Sequence, residues 1–466
     1  MPATPSADLV GVLDVGKSSM KLSIVERSNG RLVHHVEART PPPRGKRIRE
    51  LDVKSIERWL VEGLTAAPSR DRITLLVPVA HGATAAFVST DDDDQVLAVP
   101  DYECEEFEQV ALEYRAQRDP FALTFSPWLP RGLNLGRQLY YLQQREPATM
   151  ARVANVLLYP QYWAWRLSGV RASEITSLGC HTDLWRPAEH RCSHLALREG
   201  WDALLPQMGK ADDILGFVRP ELASATGLDR QCQVICGIHD SNASYLRHLS
   251  SRPADQPFAV VSSGTWTIVM ARGADLGRLR EEYDMLANVD AQGASVATAR
   301  FMGGREYAQI AGAGGSQRMP TADALVALVH SDIMALPSFS ETGGPFPGRP
   351  GRLIGAEQLD DTRRVALATL YCALMVDQLL DALGAKGDVI IDGPLAVNPL
   401  FPGVLAALRP DSTVLASVRG GGEVVAGAVL AGVAAPAGTR EVVPVVASRD
   451  LHTYRNRWLE QMGIST

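Results

Sequence analysis

The chain of 466 residues lacks the features that mark several large classes of protein. It holds only six cysteines, which are scattered, so it is not a small disulfide-stapled module. It has no apolar run of about 20 residues, the length that a membrane-spanning helix needs. Its longest apolar run, from Val424 to Pro436, is rich in glycine and alanine and predicts a packed helix. No basic segment leads into an apolar core near the N-terminus, so we expect no signal peptide.

An excess of basic charge is also lacking. Lysine and arginine number 46 against 53 aspartates and glutamates, which gives a net charge of −7 and a pI near 5.9. We therefore expect neither a nucleic-acid surface nor a membrane-binding face. Cys232 and Cys236 lie on one strand-like run, where four residues span about 13 Å, too far for a disulfide or a shared metal. Buried free thiols and a cytoplasmic location follow, and a homodimer is compatible with this composition.

The chain is long and apolar enough for more than one core. Apolar residues make up 46% of it and charged residues 21%. Two domains of roughly 200 residues each are therefore expected. A strand, a tight turn with a glycine and a second strand occur twice, near Gly16 and near Gly264. This repeat predicts two lobes built on one plan, with a cleft between them.

One segment ends a buried strand in a glycine and an aspartate, and its sequence is Cys236-Gly237-Ile238-His239-Asp240-Ser241. The pattern places the carboxylate of Asp240 at the mouth of the strand, with a helix behind it. A catalytic base can be held at such a position.

Two glycine-bearing turns could bind phosphate. The turn Ser262-Ser263-Gly264-Thr265 interrupts an apolar strand that resumes at Trp266. Hydroxyl groups and backbone N–H groups converge there, which favours an anion. The turn Asp14-Val15-Gly16-Lys17-Ser18 has the same setting between two strands, with a carboxylate in place of the hydroxyl groups. Asp14 has an alternative interpretation as an ordinary turn residue.

Three further segments carry polar residues, and each has its own interpretation. His81-Gly82 follows the predicted strand from Ile73 to Val79, which makes His81 a candidate for substrate binding or a structural histidine. The acidic run from Asp91 to Asp94 lacks interleaved ligands at fixed spacing and predicts a solvated loop. The segment from Arg171 to Leu178 predicts a strand.

Strands and helices alternate toward the C-terminus. A long, largely buried helix is predicted from Asp361 to Leu383, ending at Gly384. The turn Asp392-Gly393-Pro394 follows a strand, and Asn398-Pro399 has the pattern of a helix start. The run Gly420-Gly421-Gly422-Glu423 opens another helix, and its glycines allow a ligand close to the backbone.

Together these motifs resemble those of the FGGY carbohydrate kinases, a branch of the superfamily that also holds actin and the heat-shock chaperones. The resemblance extends over nearly the whole chain. Asp14-Val15-Gly16 is similar to the first phosphate motif of the family, and Ser262-Ser263-Gly264-Thr265 to the second. The segment Gly237-Ile238-His239-Asp240-Ser241 is similar to the one that carries the catalytic aspartate.

Two C-terminal motifs add to the resemblance. Gly393 with Asn398 resembles the adenosine motif, and Glu423 with Gly427-Ala428 resembles the helix beside the adenine. The resemblance implies an α/β fold of two ribonuclease H-like domains, as in the actin-like ATPases, with a cleft between them. Residues 1–245 would bind the sugar and carry the catalytic aspartate, and residues 246–466 would bind ATP.

The resemblance also implies a reaction and a set of site residues. The γ-phosphoryl group of ATP would pass to a sugar hydroxyl with the help of Mg²⁺, and the expected acceptor is a ketose such as rhamnulose, fuculose, ribulose or xylulose. Asp240 would be the base, and Asp14 would hold the metal. The implied sugar contacts are His81, Gly82, His239 and Asp240. The implied nucleotide and phosphate contacts are Asp14, Gly16, Lys17, Ser18, Ser263, Gly264, Thr265, Gly393, Asn398, Glu423 and Gly427.

Several positions depart from the family pattern. Lys17 stands where threonine is usual, Val79 where glutamine is usual, and Asp392 where the adenosine motif has its first glycine. The family's Trp-x-Asp-x-Arg sugar segment has no clear counterpart near Asp101-Tyr102. These departures concern the substrate more than the reaction.

Two other functions are compatible with such a fold. A catalytically silent, nucleotide-dependent sugar sensor or scaffold would have no use for a carboxylate at Asp240. A polyphosphate or nucleotide hydrolase would need a more basic cleft than is expected of a chain with a net charge of −7 and six lysines.

Overall fold

The computed structural model describes residues 8–45, 48–90, 95–253, 255–315, 318–340, 343–418, 422–433 and 438–464. The acidic run from Asp91 to Asp94, the glycines Gly420 and Gly421, and the side chain of Glu423 lie outside the described residues. The chain forms two compact units. The first consists of Met1–Arg252, Ala287–Ser295 and Gly421–Pro436, and the second of Pro253–Leu286, Val296–Gly420 and Ala437–Thr466.

The strands, in chain order, are β1 Leu9–Val15, β2 Ser19–Glu26, β3 Leu32–Arg39, β4 Ile73–Ala80, β5 Ala85–Ser89, β6 Val96–Ala98, β7 Val153–Leu158, β8 Ser173–Glu174, β9 Trp185–Arg186, β10 Arg191–Cys192, β11 Met208–Gly209, β12 Ile214–Phe217, β13 Gln233–Ile235, β14 Ile238–His239, β15 Phe258–Ser263, β16 Thr267–Arg272, β17 Leu286–Val289, β18 Ser295–Phe301, β19 Met334–Leu336, β20 Arg352–Ile354, β21 Asp388–Asp392, β22 Val414–Ser417 and β23 Thr439–Glu441.

The α-helices are α1 Val53–Ala66, α2 Ala111–Gln117, α3 Phe121–Thr124, α4 Leu135–Arg145, α5 Pro147–Met150, α6 Tyr159–Ser168, α7 Ile175–Leu178, α8 His194–Arg198, α9 Pro220–Thr226, α10 Asp240–Leu249, α11 Gly303–Ala311, α12 Ala322–Val329, α13 Asp361–Leu383, α14 Pro394–Val397, α15 Phe401–Leu408, α16 Gly422–Leu430 and α17 Ser448–Gln461.

The main sheet of the first unit has the strand order β12-β13-β4-β1-β2-β3, and β14 pairs with the end of β4. Strand β2 is antiparallel to both β1 and β3, whereas β4 runs parallel to β1, β13 and β14. Both β1 and β4 are buried along nearly their whole length, as their continuous apolar sequences require. The parallel step from β3 to β4 is made through α1, the kind of crossover that parallel strands need.

The second unit repeats this plan. Its sheet contains the order β18-β16-β15-β21-β22-β23, in which β18, β16 and β15 are antiparallel and β21 and β22 continue parallel to β15. The turn at Gly16 joins β1 to β2, and the turn at Gly264 joins β15 to β16. The predicted repeat and the α/β fold class are therefore confirmed.

Helix α13 has the bounds that its sequence predicts, Asp361–Leu383, and Gly384 follows it with φ of 65°. It is the one helix among the described residues that is long and apolar enough to cross a membrane, but 83% of its apolar window is buried. This burial identifies α13 as a core helix of the second unit.

One secondary-structure element and the domain boundary differ from the sequence-based expectations. Only Ser173–Glu174 of the predicted strand from Arg171 to Leu178 is extended, because the carboxylate of Glu174 accepts hydrogen bonds from the next turn and starts α7 there. The expected domain boundary at residues 245/246 lies inside α10, whereas the first unit extends to Arg252 and includes Gly421–Pro436. Within that unit α16 packs against β1, and a Cβ on Gly427 would lie 2.5 Å from Cγ2 of Val12.

Candidate active site

The carboxyl ends of three parallel strands meet at one edge of the first sheet. Asp14 lies at the end of β1, His81 follows β4, and His239 ends β14. The register places Asp14 and His239 beside the last two residues of β4. The topology therefore brings these side chains together at the edge where α/β sheets usually bind ligands.

Asp240 is the first residue of α10 and directly follows β14. Its side chain is 32% exposed, and Nε2 of His239 lies 3.2 Å from its Oδ1. The backbone N–H of Ser241 donates to the same oxygen at 2.5 Å. The start of a helix favours a negative charge, so this position stabilises an ionised carboxylate.

The imidazole of His239 is buried between Asp240 and Asn242. The amide nitrogen of Asn242 can only donate, and it lies 3.4 Å from Nδ1 of His239. Nδ1 is therefore the acceptor, and the ring proton is on Nε2, facing Asp240. Burial lowers the pKa of His239 to about 4, so the ring is neutral at pH 7. A Cβ on Gly82 would lie 2.7 Å from Nε2, which explains the glycine at that position.

His81 is buried against two aromatic rings. The ring centroids of Tyr102 and Tyr159 lie 5.7 Å and 4.8 Å from that of His81. Nδ1 of His81 lies 3.0 Å from the carbonyl oxygen of Gly82 and therefore carries the proton. Burial lowers the pKa of His81 to about 4. The structure thus provides two neutral imidazoles at the sheet edge.

Lys17 contacts residues that the sequence reasoning did not assign to the site. Its ammonium group bonds to the carboxylate of Asp101, which is 1% exposed, and lies 3.4 Å from Oε2 of Glu103. It also lies 4.4 Å from the centre of the Tyr102 ring. Lys17 therefore ties the segment 101–103 to the first turn, and through Tyr102 it borders His81.

Asp14 is 5% exposed, and Nζ of Lys21 on the neighbouring strand β2 lies 3.2 Å from its Oδ2. In the following turn the N–H of Gly16 donates to the carbonyl of Ser19 at 2.9 Å, and Ser18 is exposed. Among the described residues no group of three or more His, Cys, Asp or Glu side chains could hold a metal by itself. Mg²⁺ at phosphate sites usually takes one or two carboxylates plus phosphate and water, so a single carboxylate at Asp14 fits that ion.

The second unit contains a pocket of about 260 Å³. It lies where the turn after β15, the start of α11 and the start of α14 meet. Its lining residues are Ser263, Gly264, Thr267, Gly303, Gly304, Tyr307, Arg318, Met319, Pro320, Pro394, Leu395, Val397 and Asn398.

Glycines shape this pocket. A Cβ on Gly303 would lie 2.1 Å from Oγ1 of Thr267, and one on Gly304 would lie 2.3 Å from the carbonyl oxygen of Gly264. The helix α11 can therefore start close to the turn only because both residues are glycine. The Gly-Gly pair is visible in the sequence, but sequence reasoning gave it no role.

The turn at Ser263 is tied to the end of β21. Oγ of Ser263 donates to the carbonyl of Asp392 at 2.6 Å and accepts from the N–H of Leu395 at 2.9 Å. Gly393 has φ of 75°, and a Cβ there would lie 2.1 Å from the carbonyl oxygen of Ser263. Two of the predicted motifs, at Ser263 and at Gly393, are thus parts of one structure.

The remaining predicted nucleotide contacts lie in three different parts of the fold. Oδ1 of Asn398 accepts from the N–H groups of Leu400 and Phe401, at 3.0 Å and 2.9 Å, and so holds the start of α15. Thr265 is exposed in the turn after β15. Gly427 belongs to the first unit, where it permits close packing of α16 on β1.

Comparison with known proteins gave a family match and several structural matches. A model of the C-terminal domain of the FGGY carbohydrate kinases matches residues 255–440. A carbohydrate kinase from Novosphingobium aromaticivorans is 36% identical, with a TM-score of 0.90 over 98% of this chain and 99% of that chain. No curated protein matches the sequence.

More distant structures share the fold. The xylulose kinase from Rhodospirillum rubrum is 18% identical, with a TM-score of 0.79 over 98% of each chain. The gluconate kinase from Lactobacillus acidophilus is 13% identical, with a TM-score of 0.77 over 98% of this chain and 97% of that chain. At these identities the likeness concerns the architecture only.

The two buried imidazoles predict a dependence of stability on pH. A histidine in an unfolded chain has a pKa of about 6.5. Because the folded pKa of His239 is depressed to about 4, its contribution to stability is complete above pH 6.5 and is lost as the pH falls toward 4. We expect His239→Gln to show a weaker fall in the urea unfolding midpoint between pH 7 and pH 5 than the wild type. Exposed His330, replaced by glutamine, is the control and should keep the wild-type dependence. Equal pH dependence of the wild type and His239→Gln would contradict the neutral, buried ring.

Proposed function

The chain belongs to the FGGY carbohydrate kinases, and we propose that it transfers the γ-phosphoryl group of ATP to a hydroxyl of a neutral sugar, a ketose such as rhamnulose, fuculose, ribulose or xylulose. The observation that carries the proposal is the Asp240 carboxylate at the start of α10, in contact with the neutral ring of His239. Phosphoryl transfer asks a protein mainly to position the reactants and to stabilise charge. One positioned base beside the acceptor is therefore sufficient on the sugar side.

Asp240 accepts the proton of the attacking hydroxyl in this proposal. Its side chain is partly exposed and can meet a bound sugar. Nε2 of His239 lies 3.2 Å from Oδ1, and the ring adds no positive charge there, because burial keeps it neutral. Hydrogen bonds from the backbone N–H and the hydroxyl of Ser241 orient the carboxylate, and the neutral ring of His239 forms no ion pair that would lower its basicity.

The sugar side of the site favours a neutral acceptor. Neutral His81 and His239, together with the backbone at Gly82, offer hydrogen-bonding groups that suit hydroxyls. The ammonium group of Lys17 contacts the carboxylates of both Asp101 and Glu103, so its charge is already matched. A sugar acid would bring another carboxylate to this wall. We therefore assign Lys17 to the wall of the sugar site rather than to the phosphates.

The pocket of the second unit is proposed to hold the adenosine of ATP. Apolar groups of Met319, Pro320 and Val397 line it and suit a purine ring. The turn at Ser263, Gly264 and Thr265 would cradle phosphate with its backbone N–H groups.

Further nucleotide contacts are proposed in the loop after β21, in the first turn and in α16. Gly393 and Asn398 fix the loop that borders the adenosine pocket. Gly16 and Ser18 in the first turn, with Glu423 and Gly427 in α16, are assigned to the nucleotide by resemblance to the family.

Asp14 is the proposed ligand of Mg²⁺, held in place by its ion pair with Lys21. When bound, Mg²⁺ neutralises charge on the phosphates. We also place the protein in the cytoplasm, because its six cysteines are free thiols.

Asp240→Asn tests the proposed base. The amide is nearly isosteric but cannot accept the proton, so kcat should fall by roughly 10²–10⁴ while the sugar KM changes little. Steady-state kinetics in a coupled ADP-release assay would measure both. Asp229→Asn, an exposed aspartate whose carboxylate accepts from the N–H of Gln231, is the matched control and should keep wild-type kinetics. An Asp240→Asn enzyme with more than half of the wild-type turnover would exclude Asp240 as the base.

The nature of the acceptor is tested with a panel of ketoses, aldoses, polyols and aldonates in the same assay. We expect the highest kcat/KM for a neutral ketose and at least about tenfold lower values for every aldonate, because an unmatched buried charge is costly. A preference for gluconate or another sugar acid would contradict the proposal that the acceptor is neutral. It would still support the proposed kinase activity. No acceptor-dependent turnover with any member of the panel would argue against the kinase activity itself.

Lys17→Met tests the wall of the sugar site. The change removes the charge that faces buried Asp101 and the cation that lies over Tyr102, so the segment 101–103 should lose its fixed position. We expect the sugar KM to rise about tenfold, with the KM of ATP within about twofold of wild type. Lys54→Met on α1 is the control. An increase in the KM of ATP alone would contradict this assignment and indicate that Lys17 contacts the phosphates of ATP.

A further inference from the structure

Two fully buried polar side chains, Glu174 and Thr176, lie behind the strand end that carries Asp240. The carboxylate of Glu174 accepts three hydrogen bonds. They come from the N–H of Thr176 at 2.9 Å, from its hydroxyl at 2.6 Å and from the N–H of Ser177 at 3.3 Å. Glu174 thus fixes both the backbone turn of α7 and the direction of the Thr176 hydroxyl.

The hydroxyl of Thr176 reaches the active-site strand. It accepts a hydrogen bond from the backbone N–H of His239 at 3.1 Å. A hydroxyl has one hydrogen, and that of Thr176 is given to Glu174, so a lone pair is left for His239. The carbonyl of Thr176 accepts from Asn242, 3.4 Å away, and Asn242 in turn lies against Nδ1 of His239.

Both the backbone and the ring of His239 are therefore held from α7. His239 is the last residue of β14 and immediately precedes Asp240. We propose that Glu174 and Thr176 are positioning residues, which act through His239 to fix the Asp240 carboxylate for proton transfer. This inference rests on the proposed function, since it deepens the role given there to Asp240.

The chemistry of the position favours a carboxylate. The three groups that bond to Glu174 are all donors, and an ionised carboxylate only accepts. Glutamine has the same shape, but its amide nitrogen would face one of these donors. Burial raises the pKa of Glu174 to about 7, and the hydrogen bonds from Thr176 and Ser177, which favour the ionised form, oppose that rise.

The experiment replaces Thr176 by valine, which has the same shape without the hydroxyl. We expect kcat to fall about tenfold or more, because a small misplacement of a catalytic group is costly. The KM values of sugar and ATP should stay within about twofold of wild type. Thr176→Ser restores the hydroxyl and should bring kcat back to within about threefold of wild type. If Thr176 served folding alone, Thr176→Val would lower thermal stability but would not lower kcat selectively while leaving the KM values unchanged.

Thr226→Val is the matched control, because Thr226 is also buried and its hydroxyl donates to the carbonyl of Leu222 at 2.7 Å. It should keep the wild-type kcat even where it lowers the thermal midpoint. Should Thr176→Val fail to fold, Glu174→Gln carries the test with the same expected fall in kcat.

Three results would overturn the inference. They are a Thr176→Val or Glu174→Gln enzyme with kcat within twofold of wild type, an equal loss in Thr226→Val, and a Thr176→Ser enzyme as slow as Thr176→Val. If Asp240→Asn is inactive while Thr176→Val is fully active, only this inference fails. If Asp240→Asn keeps its turnover, the assignment of the base fails, and the inference fails with it.

Discussion

The parallel pairing of β4 with both β1 and β14 is the constraint on which the candidate active site depends. It places three strand ends at one edge, and Asp14, His81, Gly82, His239 and Asp240 each lie within two residues of such an end. Gly237 makes this pairing possible. It has φ of 84°, and a Cβ there would lie 2.5 Å from the carbonyl oxygen of Pro78. The chain can therefore break after β13 and rejoin β4 as β14, which carries His239 to the edge.

Charge at that edge is controlled in two different ways. Asp14 and Asp101 are almost fully buried, and each contacts an ammonium group, Lys21 and Lys17 respectively. A buried carboxylate without such a partner would be costly. Asp240 differs, because it is partly exposed, lies at the start of a helix and contacts a ring that burial keeps neutral. The first arrangement offsets the charge of a buried carboxylate, whereas the second leaves Asp240 partly exposed, as its proposed role as the base requires.

Local patterns in the sequence predicted much of this arrangement. The strand ends at Asp14 and Asp240, the turn at Ser263 and the bounds of α13 all depend on apolar runs and turn residues that are adjacent in the chain. The partners of those residues could not be predicted in the same way. Lys17 and Asp101 are 84 positions apart, and Thr176 and His239 are 63 apart. Contacts of that separation depend on the tertiary fold. Residues 175–178 were predicted to continue a strand, whereas the carboxylate of Glu174, the last residue of β8, accepts from the next turn and starts α7 there.

The two sheets share one strand order, so topology alone does not explain why one edge is filled by side chains while the other forms a pocket. The difference lies in the size of a few side chains. The first edge is filled by the rings of His81 and Tyr102 and by carboxylates, whereas the second is opened by Gly303 and Gly304 into a pocket of about 260 Å³. Gly264 in that second edge is not required by crowding, since a Cβ there would meet only the carbonyl oxygen of Trp266 at 3.7 Å, an ordinary contact. A glycine that its own surroundings do not require fits a position where a ligand must approach the backbone closely, as the proposed phosphate contact does.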